Sequence, residues 1–270
     1  MKFFLPDWDH RVDPSYDFPT DRFTLARDPY RDDRYAHELF QDSLYDGVLV
    51  SRMALMQSGP KRVLVDRFGM RNYLRLPRTY DLLGDCGAFG YLRQQYPRFE
   101  TAEVVTYYDR YGFDLGVSVD HLIVPELAEQ RTYRYELTLR NAEIFLALHR
   151  RGGYRYTPIG SVQGWDAYSY AEAARATVAM GYDYIAIGGL TRRRSDTIRQ
   201  IITTVAQEIP GHVRVHVFGV ARLALVPLFV QCGVSSVDSS TPFRQAWVSD
   251  RDNYYTSERT YPAFRVPVAE

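Results

Sequence analysis

Lysine is almost missing from this chain: of 33 basic residues only Lys2 and Lys61 are lysine. Arginine suits bidentate phosphate contact, but a skew this complete is more simply a codon-composition effect, so it assigns no partner by itself. Cysteine occurs twice, at Cys86 and Cys232, which excludes a disulfide framework and a four-cysteine zinc site. His121, His149, His212 and His216 show no metal-ligand spacing with carboxylates, so no metal is expected; all are read as structural except His121, which adjoins Asp120. Formal net charge is zero, with 33 basic and 33 acidic residues, so any nucleic-acid surface must be a local patch. No apolar run reaches membrane-spanning length and no leader pattern opens the chain, so the expectation is a soluble cytoplasmic protein with no membrane partner. No Gly-x-Gly-x-x-Gly follows a first strand, which removes the usual sign of dinucleotide binding, and no cofactor is expected.

What is present is enough for one large domain: 270 residues, 46% apolar and 14% aromatic. Residues 1–46 scatter Asp among Pro, Tyr and Phe with little periodicity and are expected to form an irregular lead-in packed on a main body spanning 47–270. From Gly47 onward short β-branched runs recur at 47–52, 62–65, 81–84, 114–119, 156–162, 183–187, 213–218 and 234–237, giving eight candidate strands. Helical periodicity lies between most of them. Ser169-Tyr-Ala-Glu172 reads as a capping box opening a helix that closes at Gly181. Ser195 is expected to cap another, with Ile198, Ile201, Ile202, Val205 and Ile209 on one face. Residues 101–111, 131–149 and 221–232 complete the set. Strands alternating with helices imply an α/β protein with a parallel sheet, and eight is the number that closes a (β/α)8 TIM barrel; an open doubly wound sheet is the alternative.

In such a fold chemistry belongs at the carboxyl ends of the strands. There the sequence places Asp85-Cys-Gly-Ala-Phe89, Asp120-His121, Gln163-Gly164, Gly188-Gly189-Leu190, Gly219 and Asp238. Carboxylates crowded at one mouth raise one another's pKa, which suits one as acid or base while another stays ionised as nucleophile. Asp238, delivered where Val234–Val237 meets a Ser-Ser-Thr-Pro loop, is the first candidate, with loop capping as its structural alternative.

These segments carry a resemblance. Asp85-Cys-Gly-Ala-Phe89 resembles the Asp-Ser-Gly-Gly-aromatic motif of the tRNA-guanine transglycosylase superfamily, Val162-Gln-Gly164 its Val-Gln-Gly, and Ile187-Gly-Gly-Leu190 its Ile-Gly-Gly-Leu. Gly233 to Arg244 is similar to its Gly-Val-Asp-x-Phe-Asp-x-x-x-Pro-Thr-Arg. Order and spacing match over about residues 47–245. The resemblance implies a (β/α)8 barrel exchanging guanine in a polynucleotide for a 7-deazaguanine base through a covalent intermediate. It implies Asp238 as nucleophile, Asp85 as general acid/base, and Asp120, Gln163, Cys86, Gly188, Gly189, Leu190 and Phe89 around the base, Phe89 stacking on its ring. Such chemistry passes through an oxocarbenium-like state, so a carboxylate and a proton donor divide the work as in retaining glycosidases.

Departures from the family pattern matter as well. No Cys-x-Cys-x-x-Cys follows the nucleophile motif, so a barrel without the zinc-binding module of tRNA-acting members is expected. Gly188-Gly-Leu-Thr-Arg-Arg-Arg194 replaces a family Glu by Arg, and Arg192, Arg193, Arg194 and Arg244 become candidate phosphate contacts. With the Phe4-Leu-Pro-Asp-Trp-Asp9 opening, the chain is most similar to the DNA-acting 7-deazaguanine transglycosylases of bacterial and phage DNA-modification systems. The implied partners are DNA, a free 7-deazaguanine base such as preQ0, and helper proteins of a modification system. The alternatives are a tRNA-acting enzyme and a non-catalytic nucleic-acid-binding partner subunit.

Overall fold

Eight parallel strands close into a barrel in the computed structural model, which describes residues 1–9, 11–42, 44–241, 244, 251, 253–256 and 259–262. The strands are Lys2–Pro6, Gly47–Ser51, Asp81–Asp85, Leu115–Val117, Thr157–Val162, Tyr184–Ile187, Arg214–Val217 and Val234–Asp238. Each pairs with the next in chain order, and the last closes on the first with Phe4 opposite Asp238. The (β/α)8 expectation is therefore met, but with one strand exchanged. Residues 62–65 lie inside the helix Gly59–Phe68, which starts after a Ser58 cap that accepts from the Lys61 amide and carries Pro60 in its first turn. The missing strand is Lys2–Pro6, so residues 1–46 are not wholly a lead-in outside the barrel; Phe4 and Leu5 are fully buried in it.

Side chains alternate across each strand, as a pleated backbone requires. Phe4, Leu49, Leu83, Leu115, Val117, Ile159, Tyr184 and Ala186 fill the barrel interior as one cluster. Their neighbours Val48, Leu82, Ile185, Val215 and Val237 face outward into the layers shared with the helices. Helix Ser195–Glu208 shows how the outer layer is built: Ile198, Ile201, Ile202 and Val205 are buried along one stripe, each burial stabilising by roughly 1.5–3 kcal/mol. Helix Thr101–Arg110 lays Tyr108 against the third and fourth strands at Gly84 and Gly116, which pair with each other. A Cβ on Gly84 would come within 2.3 Å of the Tyr108 ring, and one on Gly116 within 2.4 Å, so neither position admits a side chain.

Helix starts differ from the expectation in two places. Asp166, not Ser169, caps the helix Ala167–Ala179: its carboxylate accepts from the Ser169 amide while the Ser169 hydroxyl accepts from the Asp166 amide. A carboxylate three residues upstream outcompetes a hydroxyl for the same orphan N–H groups. Ser195 is the first helical residue after Arg194, and its hydroxyl instead accepts from Arg222 at 3.0 Å. No helix among the described residues is long and apolar enough to cross a membrane.

Candidate active site

A cavity of about 1210 Å³ opens at the carboxyl ends of the strands, and Asp85, Asp120 and Asp238 all line it. Asp85 and Asp238 end the third and eighth strands with the parity that points them inward, since Leu83 and Ser236, two residues before each, are also interior. Ser51 lies in register beside Asp85.

Asp238 is buried and held through one oxygen. Its Oδ1 accepts from the Gly219 amide at 2.9 Å and lies 3.1 Å from His216 Nε2. His216 Nδ1 sits 2.7 Å from the Ser236 hydroxyl, which is 2.6 Å from the Tyr184 hydroxyl. An ionised carboxylate can only accept, so His216 carries its proton on Nε2; in the neutral ring Nδ1 then accepts from Ser236, which accepts from Tyr184. Asp238 Oδ2 makes no hydrogen bond among the described residues, which leaves that oxygen for the cavity.

Asp85 is tuned in another way. Burial, then the charges of Asp120 and Asp238, push its carboxyl up to about 7, against the weaker opposing pull of the Ser51 hydroxyl and the Gly87 amide. Its Oδ1 is sealed from solvent with no hydrogen-bond partner among the described residues. A carboxyl in this state gives and takes a proton near neutrality.

Asp120 forms the floor of the pocket. Gln163 Nε2 donates to its Oδ2 at 2.7 Å and the Cys86 thiol to its Oδ1 at 3.2 Å. Burial raises its pKa, and those two hydrogen bonds oppose the rise. Tyr91 donates to the Asp120 carbonyl at 2.9 Å and lies 2.8 Å from Cys86 Sγ. Burial and the adjacent Asp120 and Asp85 hold the Cys86 thiol well above its usual range, so it is a thiol donor in the wall and not a nucleophile. Gln163 is buried behind Asp120, outside the cavity lining, with Oε1 lacking a partner among the described residues. Gly188 and Gly189 line the cavity, and Tyr170 fixes the turn by donating to the Gly188 carbonyl at 2.8 Å. Gly189 has a left-handed φ of 73°, and a Cβ there would meet Gln163 Oε1 at 2.9 Å and the Tyr170 hydroxyl at 3.0 Å. Leu190, expected at the base, is instead fully buried in the outer core: after the glycine turn its side chain faces the helices.

At the rim Phe89 is 56% exposed. The three consecutive arginines do not act together. Arg192 lines the cavity and pairs with Glu126 at 3.3 Å, both well exposed. Arg193 turns inward and donates to the carbonyls of Trp165 at 3.0 Å and Gly164 at 3.3 Å, because those loop carbonyls have no strand partner to satisfy them. Arg194 is exposed at the helix start, outside the lining. Arg244 lines the cavity with its guanidinium 5.6 Å from the Trp8 ring, while Pro242 and Phe243 of the same motif lie outside the described residues.

His121, singled out beside Asp120, turns away from the cavity: its Nε2 meets the Gln94 carbonyl at 2.9 Å and its Nδ1 lies 3.1 Å from Arg134. His216, read as structural, is the histidine in the site. The signal was its place between Val215 and Val217, which by strand parity sends it inward. A family zinc site does not fit the donors present. Cys86 is engaged with Asp120 and Tyr91, Cys232 caps the helix Val226–Gln231, and among the described residues no group of three or more His, Cys, Asp or Glu could hold a metal.

Known proteins resemble this chain in sequence. The sequence model of the queuine tRNA-ribosyltransferase family matches residues 91–262, which include Asp120, Gln163, Gly189 and Asp238. A DNA-guanine transglycosylase of Salmonella montevideo is 35% identical over 287 aligned residues, covering 99% of this chain and 68% of the relative. A tRNA-guanine(15) transglycosylase of Methanocaldococcus jannaschii is 25% identical over 59% of this chain, and one of Nanoarchaeum equitans 23% identical over 69%. Of those two archaeal relatives the chain spans 25% and 48% of the length. With the family model covering well over half its length and a barrel bearing the matched residues at one mouth, the chain belongs to the queuine tRNA-ribosyltransferase family.

Proposed function

We propose that the protein is a DNA guanine transglycosylase that exchanges guanine in a DNA strand for a free 7-deazaguanine base. The observation that carries this is one cavity holding two differently equipped carboxyls: Asp238, with Oδ1 fixed and Oδ2 available, and Asp85, pushed up to about 7. In the first half-reaction Asp238 Oδ2 forms a bond to the anomeric carbon while the bond to guanine breaks, and Asp85 gives its proton to the departing base. In the second, Asp85 takes a ring N–H proton from the incoming base, whose nitrogen bonds to the anomeric carbon as the Asp238 ester breaks. The enzyme returns to its starting state and no other reactant is consumed. Asp120, braced by Gln163 and Cys86, offers acceptors to the base edge, and the Gly189 amide has no protein partner among the described residues and can serve as a donor to it.

DNA is favoured over tRNA because the relative named for DNA aligns with 99% of the chain at 35% identity, while the archaeal tRNA relatives align at 23% and 25% over shorter stretches. The family's own description names tRNA, which makes tRNA the second reading. Incorporation of labelled guanine into DNA and into unmodified tRNA, measured side by side, decides between them. Label in DNA alone is expected; label in tRNA alone selects the second reading, and label in neither removes base exchange.

A further inference from the structure

Tryptophan prefers burial, yet Trp8 is 53% exposed at the cavity mouth, on a loop with more internal bracing than an exposed residue needs. The flanking residues are both anchored. Lys61, itself buried, places Nζ 2.5 Å from Asp7 Oδ2 and 2.9 Å from Asp9 Oδ1. Tyr73 donates to Asp9 at 2.8 Å, and the Asp7 amide donates to the Leu49 carbonyl at 2.8 Å. Asp9 adopts a left-handed φ of 53°, a conformation that aspartate takes up more readily than most side chains and that its ion pair and hydrogen bond hold in place. Desolvating an ammonium between two carboxylates is costly. What the loop gains is a tryptophan held outward at a fixed point.

That point lines the same cavity as Asp238. The first strand pairs with the eighth so that Phe4 lies opposite Asp238, and the chain then runs on to Trp8 at the mouth. From the eighth strand's side Arg244 brings its guanidinium to 5.6 Å from the Trp8 ring centroid, within cation–π range. A flat ring beside a cation is the pairing by which single-stranded nucleic acid is held, the ring for a base and the cation for a phosphate.

We propose that Trp8 is the stacking platform for the nucleobase adjacent to the exchanged guanosine in the DNA strand, with Arg244 contacting the phosphate between them. This rests on the base-exchange function proposed above and adds a contact outside the base pocket. The Trp8 ring takes the place that the guanosine vacates beside that base when it leaves the stack, so Trp8 lowers the cost of extrusion.

The test uses the full chain and labelled single-stranded DNA oligonucleotides containing one guanosine, with either both flanking bases intact or an abasic site on the 5′ or the 3′ side. Binding is read by fluorescence anisotropy, and exchange by labelled guanine. Trp8→Ala is expected to weaken binding of the intact oligonucleotide by about tenfold or more, raising KM with little change in kcat, and Trp8→Phe to recover most of the loss. On one of the two abasic oligonucleotides the wild-type protein should bind as weakly as Trp8→Ala, and the substitution should have no further effect. Binding by Trp8→Ala within twofold of wild type, or an equal loss on all three oligonucleotides, overturns the stacking role. That result alongside normal wild-type exchange leaves the base-exchange function standing, whereas a wild-type protein that neither binds nor labels DNA overturns both.

Discussion

Replacing Asp85 with Asn separates chemistry from stability. In the folded site the Asp85 carboxyl is pushed from its ordinary 3.8 up to about 7, first by burial and then by Asp120 and Asp238. Each tenfold change in proton affinity is worth about 1.4 kcal/mol, so the ionised form is disfavoured by about 4 kcal/mol relative to the unfolded chain. The folded state keeps its proton where the unfolded state has lost it. Stability therefore falls as pH rises from about 4 to about 7, and the whole penalty is in force above that window. An Asn side chain has no proton to lose. Asp85→Asn should thus match the wild type near pH 4 and become more stable by up to about 4 kcal/mol at pH 8, a large part of the 5–15 kcal/mol typical of domains. Exchange should be abolished at every pH, because an amide cannot shuttle a proton. Urea unfolding of both proteins from pH 4 to pH 8 reads the difference from the midpoints at constant slope. A difference that does not grow with pH, or a wild type more stable than Asp85→Asn at pH 8, would refute the linkage.

Other substitutions address single contacts. His216→Leu leaves Asp238 Oδ1 with only the Gly219 amide; kcat should fall on the order of 10- to 100-fold at little-changed KM, with partial recovery in His216→Gln, and an unaffected kcat in single-turnover assays would deny His216 a positioning role. Gly189→Ala puts a Cβ 2.9 Å from Gln163 Oε1 at a left-handed φ, so KM for the incoming base should rise several-fold; an unchanged KM would mean the turn is not at the base. Arg193→Ala strands the carbonyls of Gly164 and Trp165 and should lower Tm by several degrees, whereas Arg192→Ala loses only an exposed pair and should leave Tm nearly unchanged while flattening the salt dependence of DNA binding; the reverse pattern in melting curves would return Arg193 to the surface.

Much of this molecule can be read without coordinates, and the exceptions have physical causes. Seven of the eight strands stand out because a buried parallel strand is a short apolar run between turn residues. Residues 62–65 mislead because four residues are too few to tell period 2 from period 3.6; Ser58, Pro60 and Gly69 at its ends mark the segment as helical. Lys2–Pro6 escapes notice because it carries Pro6 and runs into an aspartate-rich stretch, although its register beside Asp238 closes the barrel. Asp85, Asp120 and Asp238 could be placed since strand ends converge on one mouth in any such barrel. The inward turn of Arg193 and the Lys61 clamp under Trp8 could not, because each depends on partners far away in sequence, at Trp165 and at Asp7 and Asp9.

The covalent step is tested most directly by capturing it. Wild-type protein incubated with a guanosine-containing DNA oligonucleotide, denatured and digested, should yield by mass spectrometry a peptide carrying the nucleotide as an ester on Asp238. Asp238→Ala should yield none, since the other cavity carboxyls have other tasks: Asp7 is paired with Lys61, Asp120 is bound through both oxygens and Asp85 carries the proton. An adduct mapped to Asp85 or Asp120, or one that persists in Asp238→Ala, would contradict the assignment of Asp238 as the nucleophile.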